Sequence, residues 1–250
     1  MTLTGSGLPC AESLPVAVSA QWPDRAVLDA PGGFCWWYCD VVVDADTALV
    51  LIVAYGLPFL PGYASAARRG QPERPVDRPA IALSVVDRGR LRFWTVNELQ
   101  ALDWRGDTLS CALGQVTIDP DRFSLRAELA GEVGGARWSA SVAVDGTPAA
   151  PFPDAPAHAG HEWRVLCAAG TATATVEGPD GSWSHRGRAY VDRNACAQPL
   201  HEVSAPWHWG RLAHPGGDLV WYATEAGDAR AVQIDAGGRS TPILPPRVAR

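Results

Sequence analysis

The chain has 250 residues, all 21 of its basic residues are arginine, and it combines a net charge of -6 with 47% hydrophobic residues. Without lysine there is no ε-amine for a Schiff base, a pyridoxal-phosphate linkage or a phosphate-loop NTPase, and arginine cannot substitute because its guanidinium keeps its proton. The acidic balance and the lack of a basic stripe argue against nucleic acid as a partner, while the apolar content fits a soluble globular chain of one large or two small domains.

Residues 1–30 read as a lead-in arm without the basic start and apolar core of a secretion signal. Cys10, Cys35, Cys39, Cys111, Cys167 and Cys196 form no CxxC pair, so a reducing, cytoplasmic location is expected. From residue 31 the dominant signal is a short β-rich run ended by a turn: 34–43, 48–54, 80–86, 91–96, 123–130 and 136–144. Residues 48–67 carry no charge, but Gly56, Pro58, Pro61 and Gly62 break them, which predicts a buried strand followed by a loop. The same apolar stretch leaves room for peripheral membrane contact.

The segment 146–160 holds Pro148, Pro151, Pro153 and Pro156, which deny donors to a sheet, and reads as a linker. It divides the chain into a β unit at 31–145 and another at 161–250. In the second unit further runs occur at 163–167, 171–177, 219–223 and 229–234, with turn signatures at Pro179-Asp180-Gly181, Pro215-Gly216-Gly217 and Ala236-Gly237-Gly238. Short strands at this spacing, with no long helical stripe, predict an all-β sandwich or barrel. Its 11 tryptophans, paired at Trp36-Trp37 and Trp207-x-Trp209, suit a large apolar cavity.

Among chemistries, His158, His161 and Glu162 could ligate a metal, but His161-Glu162 lacks the second histidine of a zinc helix, and no metal is expected. No GxSxG elbow, catalytic cysteine context, or glycine-rich cofactor loop is present, so cofactor-free acid–base chemistry remains. On strands, alternation would put Tyr190 with Asp192, and His161 with Trp163, on common faces. A carboxyl in an aromatic, poorly hydrated pocket keeps its proton near neutrality and can act as an acid. The same pattern also fits a purely structural Tyr–Asp hydrogen bond.

Taken together, Gly33-Phe34-Cys35-Trp36-Trp37-Tyr38-Cys39-Asp40, Leu51-Ile52-Val53-Ala54-Tyr55-Gly56, Gly187 with Tyr190-Val191-Asp192-Arg193-Asn194, and Trp207-His208-Trp209-Gly210-Arg211 resemble the carotenoid 1,2-hydratase (hydroxyneurosporene synthase) family. The resemblance implies two lipocalin-like β-barrel or sandwich halves with a hydrophobic cavity near their junction. It implies cofactor-free, acid-catalysed hydration of a terminal C=C of a hydrophobic polyene or isoprenoid, with relatives on this fold acting as cyclases, including Diels–Alderases. A non-catalytic lipid or pigment carrier is the reading outside enzymes. On this resemblance Asp192 protonates the alkene, Trp163 faces the cation, His161 orients or deprotonates water and Tyr190 bonds Asp192. Trp36, Trp37, Tyr38, Asp40, Trp207 and Trp209 are the expected substrate-binding residues. Where the family carries an Asn-His-Cys-like stretch, this chain has Val76-Asp77-Arg78-Pro79-Ala80.

Overall fold

The structure, a computed structural model, describes residues 25–151, 161–204, 206–225 and 229–244. His158, most of the lead-in arm and most of the Pro-rich segment lie outside the described residues, and the part of the metal reading that rests on His158 lies there with them. Among the described residues no group of three or more His, Cys, Asp or Glu side chains is placed to hold a metal ion. No disulfide joins the described cysteines, and no described helix is long and apolar enough to cross a membrane.

The fold is all-β. Its strands are β1 (Phe34–Val42), β2 (Ala48–Tyr55), β3 (Pro79–Asp87), β4 (Arg90–Glu98), β5 (Asp103–Arg105), β6 (Thr108–Cys111), β7 (Gly114–Asp119), β8 (Ser124–Val133), β9 (Ala136–Asp145), β10 (Glu162–Gly178), β11 (Gly181–Cys196), β12 (Trp207–His214), β13 (Gly217–Thr224), β14 (Ala229–Ile234) and β15 (Ser240–Ile243). Short helices α1 (Arg25–Asp29), α2 (Pro61–Arg68) and α3 (Leu200–Val203) connect them. Strands β1 to β11 form one antiparallel sheet of 11 strands in the order β4-β3-β2-β1-β11-β10-β9-β8-β7-β6-β5, and β12 to β15 form a second sheet of four. The strands on either side of the Pro-rich segment belong to the same sheet, since β9 pairs with β10 from Ser139–Glu177 to Asp145–Thr171.

Strict alternation divides the large sheet into two faces. On β1, Cys35, Trp37, Cys39 and Val41 point into the main core, where they meet Leu125, Val142, Val176 and Val191. The sheet curls around this core. Phe93 on β4 lies 5.6 Å from Trp138 on β9, ring centre to ring centre, although five strands separate them in the sheet. Phe34, Trp36, Tyr38 and Asp40 point to the opposite face. The small sheet packs there, with Val220, Val232 and Ile234 against Val165, Ala168 and Tyr190.

Three local expectations change. The runs at 163–167 and 171–177 are one strand, β10, whose register shifts between Val165 and Cys167 and again between Cys167 and Gly170. Two irregularities close together explain why the sequence pattern breaks there while the strand continues. The expected loop after β2 contains helix α2, because Pro61 stands at its first turn, where a fixed φ and a missing N–H do no harm. The long β11 was not among the β-rich runs: His185-Arg186-Gly187-Arg188 lacks apolar alternation, and the strand is held by pairing with β1 and β10.

Candidate active site

The register of β1 against β11 sets Trp36 opposite Asn194, Tyr38 opposite Asp192 and Asp40 opposite Tyr190. On the other side of β11, Trp163 pairs with Asn194 and Val165 with Asp192. Three neighbouring strands thus present one face of alternate residues toward the small sheet. From that sheet, Trp207, Trp209 and Tyr222 close a cavity of about 190 Å3 whose other walls include Trp36, Tyr38, Ile52, Phe59, His161, Trp163, Asp192 and Asn194. The cavity lies at the junction of the two sheets. Phe59, 52% exposed, stands at its rim, with its ring 5.4 Å from Trp36 and 6.2 Å from Trp207.

Asp192 is the carboxyl in this aromatic wall and is 3% exposed. Its Oδ2 accepts hydrogen bonds from Trp163 Nε1 at 2.9 Å and from the Tyr190 hydroxyl at 2.9 Å. Its Oδ1 accepts from Asn194 Nδ2 at 3.1 Å. Loss of water on burial is the largest influence on it and raises its pKa to about 7, helped by the nearby charge of Asp40 and opposed by the three donors. With two donors already on Oδ2, a proton on this acid belongs on Oδ1, which has only one.

Asn194 extends the chain. Because its Nδ2 donates to Asp192, its Oδ1 faces His161 Nε2, at 3.1 Å, and must accept from it. His161 therefore carries its proton on Nε2, with its ring edge-on to Phe34 at 5.4 Å. Asn194 was quoted in the sequence motif but not named as a site residue. The alternation that joins Tyr190 to Asp192 reaches Asn194 in one more step.

Behind the acid, Tyr190 is fully buried beneath the Arg211 guanidinium, whose carbon lies 5.7 Å from the ring centre. Arg211 ion-pairs with Asp40, and its Nε donates to Asp218 Oδ2 at 2.7 Å, while Arg188 reaches Asp218 Oδ1 at 2.6 Å. These four alternating charges tie β12 and β13 of the small sheet to β1 and β11 of the large one. Burial lifts Asp40 to about 6 despite Arg211. The same cause holds the Tyr38 and Tyr190 hydroxyls well above their ordinary range, so both remain donors.

Of the ten expected site residues, His161, Trp163, Asp192, Trp36, Tyr38, Trp207 and Trp209 line the cavity. Tyr190 reaches it through Asp192, and Asp40 belongs to the charge network behind it. Trp37 does not face the site: it lies in the main core, 6.4 Å from the Tyr55 ring, because neighbours on a strand point to opposite faces. His208 is exposed between Trp207 and Trp209, and His185 packs on Trp183 at 4.8 Å. Ile52 and Phe59, which belong to the Leu51-to-Phe59 part of the family motif but were not named as site residues, and Tyr222, which had no signal in the sequence, also line the cavity.

The chain is 29% identical over 245 residues to the acyclic carotenoid 1,2-hydratase of Thiocapsa roseopersicina, covering 91% of this chain and 57% of that protein, so it spans little more than half the relative's length. Among solved structures it resembles a candidate AttH protein of Nitrosomonas europaea (TM-score 0.61, 12% identity, 95% of this chain and 75% of that one). It also resembles CghA, crystallised with Sch210972 (TM-score 0.51, 11% identity, 84% of this chain and 59% of that one). These two likenesses show a shared fold. The model of the carotenoid hydratase CrtC family matches residues 52–250, and on a match of that extent the chain belongs to this family.

Proposed function

We propose that this chain hydrates the terminal C=C of an acyclic, hydrophobic polyene by acid catalysis, without a cofactor, with Asp192 as the proton donor. The observation that carries this reading is a single buried carboxyl, raised to about 7, set in the wall of an aromatic cavity. Near neutrality such a group is protonated often enough to give its proton and basic enough to take one back.

The step balances on the residues present. The π pair of the alkene takes the Oδ1 proton, leaving a carbocation on the more substituted carbon and a carboxylate on Asp192. Trp163 and Tyr190 already donate to Oδ2, so the new negative charge forms where two hydrogen bonds await it. The rings of Trp163, Trp36 and Trp209, which line the same cavity, surround the cation with π density. Water then adds its oxygen to the cation, and the proton it sheds restores Asp192. His161 acts through Asn194, holding the amide so that Nδ2 stays on Asp192.

The test is to incubate the protein with an acyclic carotenoid and look for a product heavier by one water. Asp192→Asn should lower the rate by about two to four orders of magnitude, the usual worth of a general acid. An isomer of unchanged mass would indicate a cyclase instead, and ligand retained unaltered would indicate a carrier. Undiminished turnover by Asp192→Asn would remove the acid from this role.

A further inference from the structure

A second hollow, of about 280 Å3, lies between α2 and α3 and is lined by Pro58, Ala64, Ala67, Pro199, Leu200 and Trp207 among others. It is next to the site cavity, and the partition between them is thin. Pro58 faces the groove and Phe59 the cavity; Pro206 faces the groove and Trp207 forms a wall of both. The partition is thus two dipeptides whose aromatic rings lie 6.2 Å apart.

We infer that this groove is the subsite for the body of the substrate: a long apolar polyene places its reacting end against Asp192 and leaves between Phe59 and Trp207 to lie along α2 and α3. The inference rests on the hydration reading for what the ligand is, and on three observations for where it goes. The first is size. The site cavity, at about 190 Å3, is smaller than the roughly 300–1,000 Å3 of pockets that enclose a drug-sized ligand, so it holds only part of an elongated molecule. The second is the shared wall: Phe59 and Trp207 touch across it with ring centres 6.2 Å apart, and Phe59, 52% exposed, has room to turn outward and join the two hollows along the path of the chain.

The third is the lining. Ala64 and Ala67 are three residues apart on α2 and so share one face, where their small side chains leave a slot for a slender chain. Prolines at positions 58, 199 and 206 offer no backbone N–H that an apolar ligand would have to strip of water. The Tyr63 hydroxyl donates to Gly33 O at 2.5 Å, so what it presents to the groove is ring. Arg68 and His201 are exposed, at the solvent side of the groove.

Two variants, Ala64→Phe and Ala67→Phe, fill the slot at half-buried helix positions away from the acid, which the fold should accept. Each is compared with the unaltered protein on an acyclic carotenoid and on a short isoprenoid carrying the same terminal group. Hydration kinetics and tryptophan quenching by the polyene are read in parallel, with circular dichroism to confirm folding. The expected result is a KM and a quenching midpoint about tenfold or more higher for the long substrate, as a few methylenes lose their burial, with the short one unchanged. Equal behaviour of both substrates in folded variants, whether weakened together or unaffected, would overturn the subsite. If the unaltered protein hydrates neither substrate, the hydration reading fails, and quenching by long against short polyene still decides the groove by the same criterion.

Discussion

Replacing Asp192 by asparagine fixes the acid in a neutral form at every pH, and this turns its unusual proton affinity into a stability measurement. In the folded chain Asp192 is held at about 7 against an ordinary value of 3.8, with burial the main cause. Because the folded state binds this proton more tightly than the unfolded chain, its contribution is fully present below about pH 4. It is lost as pH rises toward 7, a total of about 4 kcal/mol at about 1.4 kcal/mol per pH unit. The asparagine escapes that loss but cannot accept the Asn194 Nδ2 bond with its own Nδ2, which costs about 1 kcal/mol at all pH values. Asp192→Asn should therefore be less stable than the unaltered chain by about 1 kcal/mol near pH 4 and more stable by about 3 kcal/mol near pH 8. Urea unfolding followed by tryptophan fluorescence across this range gives the difference directly. Asp40, itself raised to about 6, titrates in both proteins, so its own share is common to them, and what differs is its repulsion of the Asp192 carboxylate, which is already counted in the raised value of that acid. A difference that stays constant from pH 4 to 8 would mean that Asp192 does not hold its proton into the neutral range, and the acid assignment would lose its basis.

The neighbours of Asp192 should move its titration in opposite directions, seen as the alkaline limb of kcat/KM. Tyr190→Phe deletes a donor that favours the carboxylate and should carry the limb up by about one pH unit, whereas Asp40→Asn deletes a neighbouring negative charge and should carry it down. Movement of both in the same direction would contradict the geometry. Phe59→Ala at the exposed rim should weaken polyene binding with little change in melting, while Trp37→Ala, in the main core, should cost about 3–5 kcal/mol of stability by denaturant titration. An altered substrate preference in Trp37→Ala with unchanged stability would place that ring wrongly. At Gly210 an added Cβ would lie 1.9 Å from the Trp221 ring, so Gly210→Ala should destabilise by about 1–3 kcal/mol and lower the melting temperature; an unchanged melt would refute the contact.

Much of the fold is written in alternation and turn residues. Asp87-Arg88-Gly89 predicts a hairpin, and Arg88 and Gly89 take φ values of 53° and 71°, the left-handed pair that matches strand twist in a two-residue turn. Alternation also pairs Tyr190 with Asp192 and allows only one of Trp36 and Trp37 to face a given cavity. Which one was decided by folding: both faces of β1 are largely buried, Trp36 sharing its face with Tyr38 and Asp40 and Trp37 with Cys35, Cys39 and Val41. The helix at α2 and the continuity of β10 were hidden for similar reasons, since a proline can open a helix and a bulge interrupts a pattern without ending a strand.

The sequence by itself determined the residue types and their periodicity: an all-β chain, a carboxyl two residues from a tyrosine, and an abundance of tryptophan. Only the tertiary structure decided that these form a site. Asp40 and Arg211 are 171 residues apart in the chain and meet across two sheets, and the ring of Tyr190 is fixed between them and Asp192. The raised proton affinity of Asp192 exists only because folding removes its water, a property of the closed interface and of no local run of residues.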